Sequence, residues 1–106
     1  MTGDATEADD VFWDCAAQLY EQPGVMESTM FGFRCLRVDD QFVGMPVQDS
    51  LWVKLPATQV EELIESGVGE VCAPNGRRFR EWVGIPSIDE RLWLELLNDS
   101  ITFVRP

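Results

Sequence analysis

Residues 51–69 read LWVKLPATQVEELIESGVG, and within this stretch the hydrophobic period changes. From Leu51 to Leu55 the side chains alternate, so Leu51, Val53 and Leu55 point to one side of an extended chain and Trp52 and Lys54 to the other. Pro56 ends that strand and suits the first turn of a helix. Beyond it Val60, Leu63 and Ile64 recur at helical spacing, and Gly67 stands where a helix closes on a left-handed residue. The stretch is a strand followed at once by an amphipathic helix, and the rest of the chain extends both patterns.

Upstream, Phe42–Val47 and Thr29–Val38 are rich in β-branched and aromatic residues, and Asp39-Asp40 and Asp49-Ser50 can turn the chain between them. Connections this short imply antiparallel neighbours, so residues 29–55 predict a three-stranded meander. Pro46 lacks an N–H and belongs near a strand end, a bulge or an edge. Gly32, between Phe31 and Phe33, marks a bulge or a close backbone approach. Before the meander, Val11, Phe12, Cys15, Ala16, Leu19 and Tyr20 make one stripe of a helix over about Glu7–Tyr20, which Thr6 and Asp9 can cap and Pro23-Gly24 stops. Its acidic residues Glu7, Asp10 and Asp14, with Glu21 beyond, form a solvated face.

Downstream, Val71-Cys72-Ala73, then Pro74-Asn75-Gly76, then a strand from about Arg78 to Ile85 read as a hairpin with a type I′ turn at Asn75-Gly76. Ser87 with Glu90 is a capping box for a last helix whose buried stripe is Ile88, Leu92, Trp93, Leu96 and Leu97. Asn98-Asp99-Ser100 weakens that helix. The resulting order is helix, three strands, helix, two strands, helix. It predicts a single α+β domain over residues 1–106, with a core of about 7–104. The architecture is a two-layer sandwich: a five-stranded, largely antiparallel sheet with three helices on one face and the other face uncovered.

Composition narrows the chemistry. Eight basic against nineteen acidic residues give a net charge of −11 with no histidine, a field that repels phosphate backbones and anionic lipid. Direct nucleic-acid binding is not expected. Nor is membrane insertion, since no apolar run nears the ~18 residues a span requires. The acidic N-terminus is unlike a signal or transit peptide. Cys15, Cys35 and Cys72 are odd in number and widely spaced, with no C-x-x-C pattern, so they read as buried, reduced thiols of a cytoplasmic protein. No metal, cofactor or catalytic constellation is visible. A cysteine nucleophile would lack a histidine base, and the paired carboxylates sit at caps, turns and polar faces, contexts that imply full solvation and not an acid–base pair in a cleft.

Two groups of residues remain as candidates for contact. If the aliphatic sets face the helices, Trp52, Lys54, Arg80 and Trp82 share the uncovered sheet face and suit an acidic or apolar protein partner. The bland alternative buries both tryptophans in the core while the cations snorkel. Arg77, Arg78 and Arg80 cluster around the Asn75-Gly76 turn and form a candidate anion site, or else simply pair with the plentiful carboxylates.

Met30-Phe31-Gly32, Trp52-Val53-Lys54-Leu55-Pro56, the Glu62–Gly69 stretch and the run from Gly76 to Val83 occur in an order that resembles the TfoX N-terminal domain family, from about Asp9 to Phe103. The resemblance implies a secretion-chaperone-like two-layer α+β fold with no established catalytic residues or cofactor. The family's namesake regulates competence and carries a second, helical domain that these 106 residues do not include, so that role is not carried over. Phe33-Arg34-Cys35 departs from the family's usual second glycine and lighter strand. Together these readings predict a protein-interaction or homodimerising module of regulatory type. The rival reading is a small-molecule or anion-binding domain centred on Lys54, Arg78 and Arg80.

Overall fold

The computed structural model describes residues 7–30, 32–73 and 76–105, and these form three helices and one open antiparallel sheet of six strands. In chain order they are α1 (Glu7–Leu19), β1 (Val25–Met30), β2 (Phe33–Val38), β3 (Gln41–Val47), β4 (Ser50–Lys54), α2 (Ala57–Glu65), β5 (Glu70–Val71), β6 (Trp82–Ile85) and α3 (Glu90–Val104). The strands lie in the order β1-β2-β3-β4-β6-β5. The α+β class, three helices and antiparallel pairing stand as expected. The strand count does not: the sheet has six strands, not five.

The extra strand comes from the segment read as one strand over Thr29–Val38. The chain reverses there, so that Met30 pairs with Phe33 and Val25 with Val38, and β1 and β2 form a hairpin. Gly32 occupies this turn with φ +81, and among the described residues beyond its chain neighbours no atom lies within 4 Å of where a side chain would start. It is therefore a turn glycine, not a bulge or a close approach. The meander has four strands. Its bulge lies one strand later, where the register steps from Arg37↔Phe42 to Leu36↔Gly44 and leaves Val43 without an opposite residue on β2. Pro46 sits beyond the last β2–β3 pair, where β3 has only β4 as a neighbour, so its missing N–H disturbs no ladder.

The second hairpin also departs from expectation. β5 and β6 pair through Glu70↔Gly84 and Val71↔Val83, so residues 72–81 form the connection and no two-residue turn joins the strands. Arg78 and Arg80 lie in this loop, ahead of β6. Gly76 does adopt a positive φ of +79, and its N–H donates to the Ala73 carbonyl at 3.1 Å. Asn75, like Thr6, lies outside the described residues.

One face of the sheet carries the core. Leu36, Val38, Leu51, Val53, Val83 and Ile85 meet Phe12, Cys15, Ala16 and Leu19 of α1, Val60 of α2, and Trp93, Leu96, Leu97 and Ile101 of α3. Tyr20, read as part of the α1 stripe, falls past the helix end and is 41% exposed. α2 ends as its sequence predicts. Gly67 has φ +83, its N–H donates to Ile64 O, and the Val68 N–H donates to Leu63 O, which together make a Schellman motif.

α3 starts on Asp89, whose carboxylate accepts from the Leu92 N–H at 3.1 Å, so Ser87 is not its cap. Ser87 instead offers its carbonyl to the indole N–H of buried Trp93 at 2.9 Å. The helix runs on through Asn98-Asp99-Ser100 because each of these polar side chains finds a tertiary partner. Asn98 Oδ1 accepts from Gln22, Asp99 Oδ2 accepts from Gln59, and the fully buried Ser100 hydroxyl donates to the Val43 carbonyl at 3.1 Å. The last bond ties α3 to the bulged residue of β3.

Candidate functional site

The helix-free face begins with Trp52. Alternation in β4 buries Leu51, Val53 and Leu55 against the helices and turns Trp52 and Lys54 outward, as expected, and both are half-buried. Trp52 is seated by a feature that alternation alone does not reveal. Its cross-strand partner on β6 is Gly84, and a Cβ built there would lie 3.5 Å from Trp52 Nε1 and 3.6 Å from its Cδ1. The indole thus lies over the bare backbone of Gly84, with Cys72 Sγ 3.8 Å from the same point. On its other side Trp52 pairs with Met45.

Trp82 opens β6 directly opposite Lys54, so the two tryptophans stand on the same face on adjacent strands. Neither belongs to the helix-side core, and Trp82 is also half-buried. Further along the sheet the same face presents Met26 of β1, 43% exposed, and Phe33 of β2, 47% exposed. Sequence reasoning missed both because residues 25–28 were not read as strand; once β1 is recognised, period-2 alternation finds them. Arg37 lies across this face, donating to Met26 Sδ at 3.2 Å, and its Nε is buried without a hydrogen-bond partner.

Arg80 reaches the region by a different route from the one alternation suggested. It sits in the 72–81 loop, yet with Lys54, Arg77, Arg78, Phe79, Glu81, Trp82 and Ala57 it lines an open concavity of about 750 Å³ at the Lys54 end of the sheet. The loop is braced by its backbone. Phe79 N–H donates to Cys72 O at 2.8 Å, Trp82 N–H to Phe79 O at 3.3 Å, and Leu55 N–H to Glu81 O at 2.9 Å. Arg78 is held by Glu61 in an ion pair of 2.7 Å. Among the described residues Lys54, Arg77 and Arg80 make no ion pair and no side-chain hydrogen bond. The structure thus joins the two candidate groups of the sequence reading at one end of the sheet.

The opposite end is acidic. A second concavity of about 860 Å³ is lined by Asp9, Asp10, Trp13 and Asp14 of α1 together with Gly32, Phe33, Arg34 and Pro46. Arg34 is committed there: it grips Glu27 through two hydrogen bonds of 2.6 and 3.0 Å and lies 4.3 Å from the Trp13 ring centroid. The bond from Arg34 holds the Glu27 carboxyl below its ordinary range.

The cysteines are free and buried, as their neighbours implied. Burial raises all three thiols, Cys15 to about 11 and Cys72 to about 12, with nearby carboxylates adding to the effect at both. Such thiols stay protonated at neutral pH and are poor nucleophiles. Among the described residues no helix is long and apolar enough to cross a membrane, and no three His, Cys, Asp or Glu side chains are grouped to hold a metal ion. No family model, curated protein or solved structure matches the chain.

Proposed function

We propose that this chain is a TfoX-N-like, secretion-chaperone-like interaction module of the cytoplasm, regulatory rather than catalytic, that pairs with a second copy of itself through the helix-free sheet face. The observation that carries this is the contrast between the two faces. The core residues Leu36, Val38, Leu51, Val53, Val83 and Ile85 are at most 2% exposed, whereas on the other side Met26, Phe33, Trp52 and Trp82 remain partly open to solvent around the buried Cys35 and Met45. Large aromatic side chains at a surface are the usual anchors of protein contacts.

A second copy is the occupant this reading favours, because two-fold pairing is the commonest closed arrangement of a surface patch. The buried free thiols suit a reducing compartment.

Analytical ultracentrifugation across a wide concentration range tests the proposal. Trp52→Ala combined with Trp82→Ala is expected to move the protein towards monomer while its far-UV spectrum stays native. An unchanged association state, or a monomeric parent, removes the reading. The specific observation behind a second reading, an anion-binding domain, is the trio of unpaired cations around the 750 Å³ concavity.

A further inference from the structure

We infer that the basic concavity at the Lys54 end of the sheet is a docking site for an acidic segment of a protein partner, its carboxylates meeting Lys54, Arg77 and Arg80 and an apolar residue resting on Trp82. The inference takes the interaction-module reading further, to a heterologous partner, and it depends on cations that self-association through the tryptophans does not require.

The argument starts from how charge is distributed. Of the chain's eight basic residues, Lys54, Arg77, Arg78 and Arg80 line this one concavity, in a molecule with nineteen acidic residues. Among the described residues two cations are taken by carboxylates, Arg78 by Glu61 and Arg34 by Glu27. Lys54, Arg77 and Arg80 are three unpaired cations gathered in one place. With four cations against Glu81, the lining is net positive and attracts an external anion. The backbone that carries them is fixed in advance by the Phe79–Cys72, Trp82–Phe79 and Leu55–Glu81 hydrogen bonds, so little ordering is needed on binding. Ala57, the first residue of α2, also lines the site, and that helix start has neither a side-chain cap nor an acidic residue in its first turn. Its field adds to the cations without itself making the site.

The same features select the kind of anion. A nucleic acid long enough to gain affinity from its backbone would leave the concavity and run over a surface that is net −11. A lone phosphate would satisfy the cations but leave Trp82 and Phe79 uncovered. A short extended peptide uses both: guanidinium forks take carboxylates, as Arg34 takes Glu27 at 2.6 and 3.0 Å, and the half-buried indole takes a neighbouring apolar side chain. The open, shallow form of the site suits a segment of a few residues rather than an enclosed metabolite.

Isotope-labelled full chain would be titrated with three probes: an acetylated, amidated octapeptide alternating glutamate and leucine, its glutamine counterpart, and inorganic phosphate. Nitrogen–proton correlation spectra follow the Trp82 indole and the arginine side chains, and calorimetry gives the affinity. The glutamate peptide is expected to shift the Trp82 indole and Arg77 and Arg80 together, with an affinity that falls as salt rises. Arg77→Glu with Arg80→Glu should weaken it about tenfold or more, while Arg91→Glu, which removes a cation from the exposed side of α3, changes it less than about twofold. Well-dispersed spectra confirm that each variant folds. Equal binding of the glutamine peptide, no binding at millimolar glutamate peptide, an equal loss in Arg91→Glu, or occupation of the site by phosphate alone would each overturn the inference. Ultracentrifugation of the same samples keeps the two readings apart: the charge-reversed variant should self-associate like the parent. Peptide binding by a monomeric parent would remove the dimer and leave the docking site standing.

Discussion

Two glycines on neighbouring strands offer a direct measurement of whether one face of the sheet is filled and the other open. Gly44 of β3 faces the helices. A Cβ added there would lie 2.7 Å from Leu97 Cδ2 of α3 and 3.1 Å from the backbone carbonyl of Trp52. Leu97 is fully buried and has no empty space to retreat into, and a backbone carbonyl cannot yield alone. Gly84 of β6 faces the other way, and its added Cβ would meet only the Trp52 indole and Cys72 Sγ at ordinary contact distances of 3.5–3.8 Å. Overpacking a well-filled core costs about 1–3 kcal/mol. Replacing glycine by alanine where it fits stabilises by about 0.4–1 kcal/mol through the unfolded chain. Gly44→Ala should therefore destabilise by roughly 0.5–2.5 kcal/mol, and Gly84→Ala should be neutral or stabilising by up to about 1 kcal/mol. Urea unfolding followed by far-UV circular dichroism separates them, since an unchanged m-value with opposite midpoint shifts isolates stability. If Gly84→Ala loses as much as Gly44→Ala, the outer face is already filled and the contrast between faces, on which the functional reading rests, is wrong.

Four further outcomes are expected. Ser100→Ala strips the buried Val43 carbonyl of its donor and should cost about 1–3 kcal/mol in the same urea experiment; no change would mean that the bulge carbonyl is satisfied elsewhere. A Cβ at Gly76 meets no atom within 4 Å among the described residues beyond its chain neighbours, so the cost of Gly76→Val, about 1–3 kcal/mol, is ascribed to the +79° backbone, and an unaltered midpoint would place that φ in doubt. A thiol reagent should modify the native protein slowly and all three cysteines rapidly in denaturant, and fast labelling of two or more native thiols contradicts their burial. Because the folded state holds the protons of Cys15 and Cys72 up to about 11 and 12 while unfolded thiols ionise near 9.0, the unfolded state gains as pH rises through that window. Stability should fall above pH 9 by up to about 1.4 kcal/mol per pH unit for each thiol, and Cys72→Ala should flatten the slope.

Much of this molecule was legible in local periodicity. Alternation from Leu51 to Leu55 placed Trp52 and Lys54 on the face where they stand, and the 3.6-residue stripes located all three helices. What failed did so where tertiary partners outweigh local signals. The β1–β2 turn hides at Gly32 between bulky apolar residues, without the Asn, Asp or Pro that usually announces a reversal. The Asn75-Gly76 dipeptide advertised a tight hairpin, yet backbone bonds to Cys72 and Ala73 shape residues 72–81 into a longer loop. Asn98, Asp99 and Ser100 looked like helix breakers because their partners, Gln22, Gln59 and Val43, are remote in sequence. The cations were recognised, but their meeting with Lys54 and Trp82 depends on the β4–β6 register, which no single segment encodes.

The four-strand meander has a kinetic consequence. Every pairing from β1 to β4 joins neighbours in the chain, so that these four strands form by closing short loops, each at small entropic cost. β6 is different: it must return across α2 and β5 to dock on β4. The seam between α1 and α3, sewn by bonds from Gln22 to Asn98 and from Arg105 to the Pro23 carbonyl, joins residues 76 and 82 positions apart. The slow part of folding is thus the arrival of the C-terminal third, and with it Trp82, whose strand completes the outer face. Until β6 docks, β4 offers a bare edge with Trp52 uncovered, and a nascent chain would be most prone to aggregate in that interval.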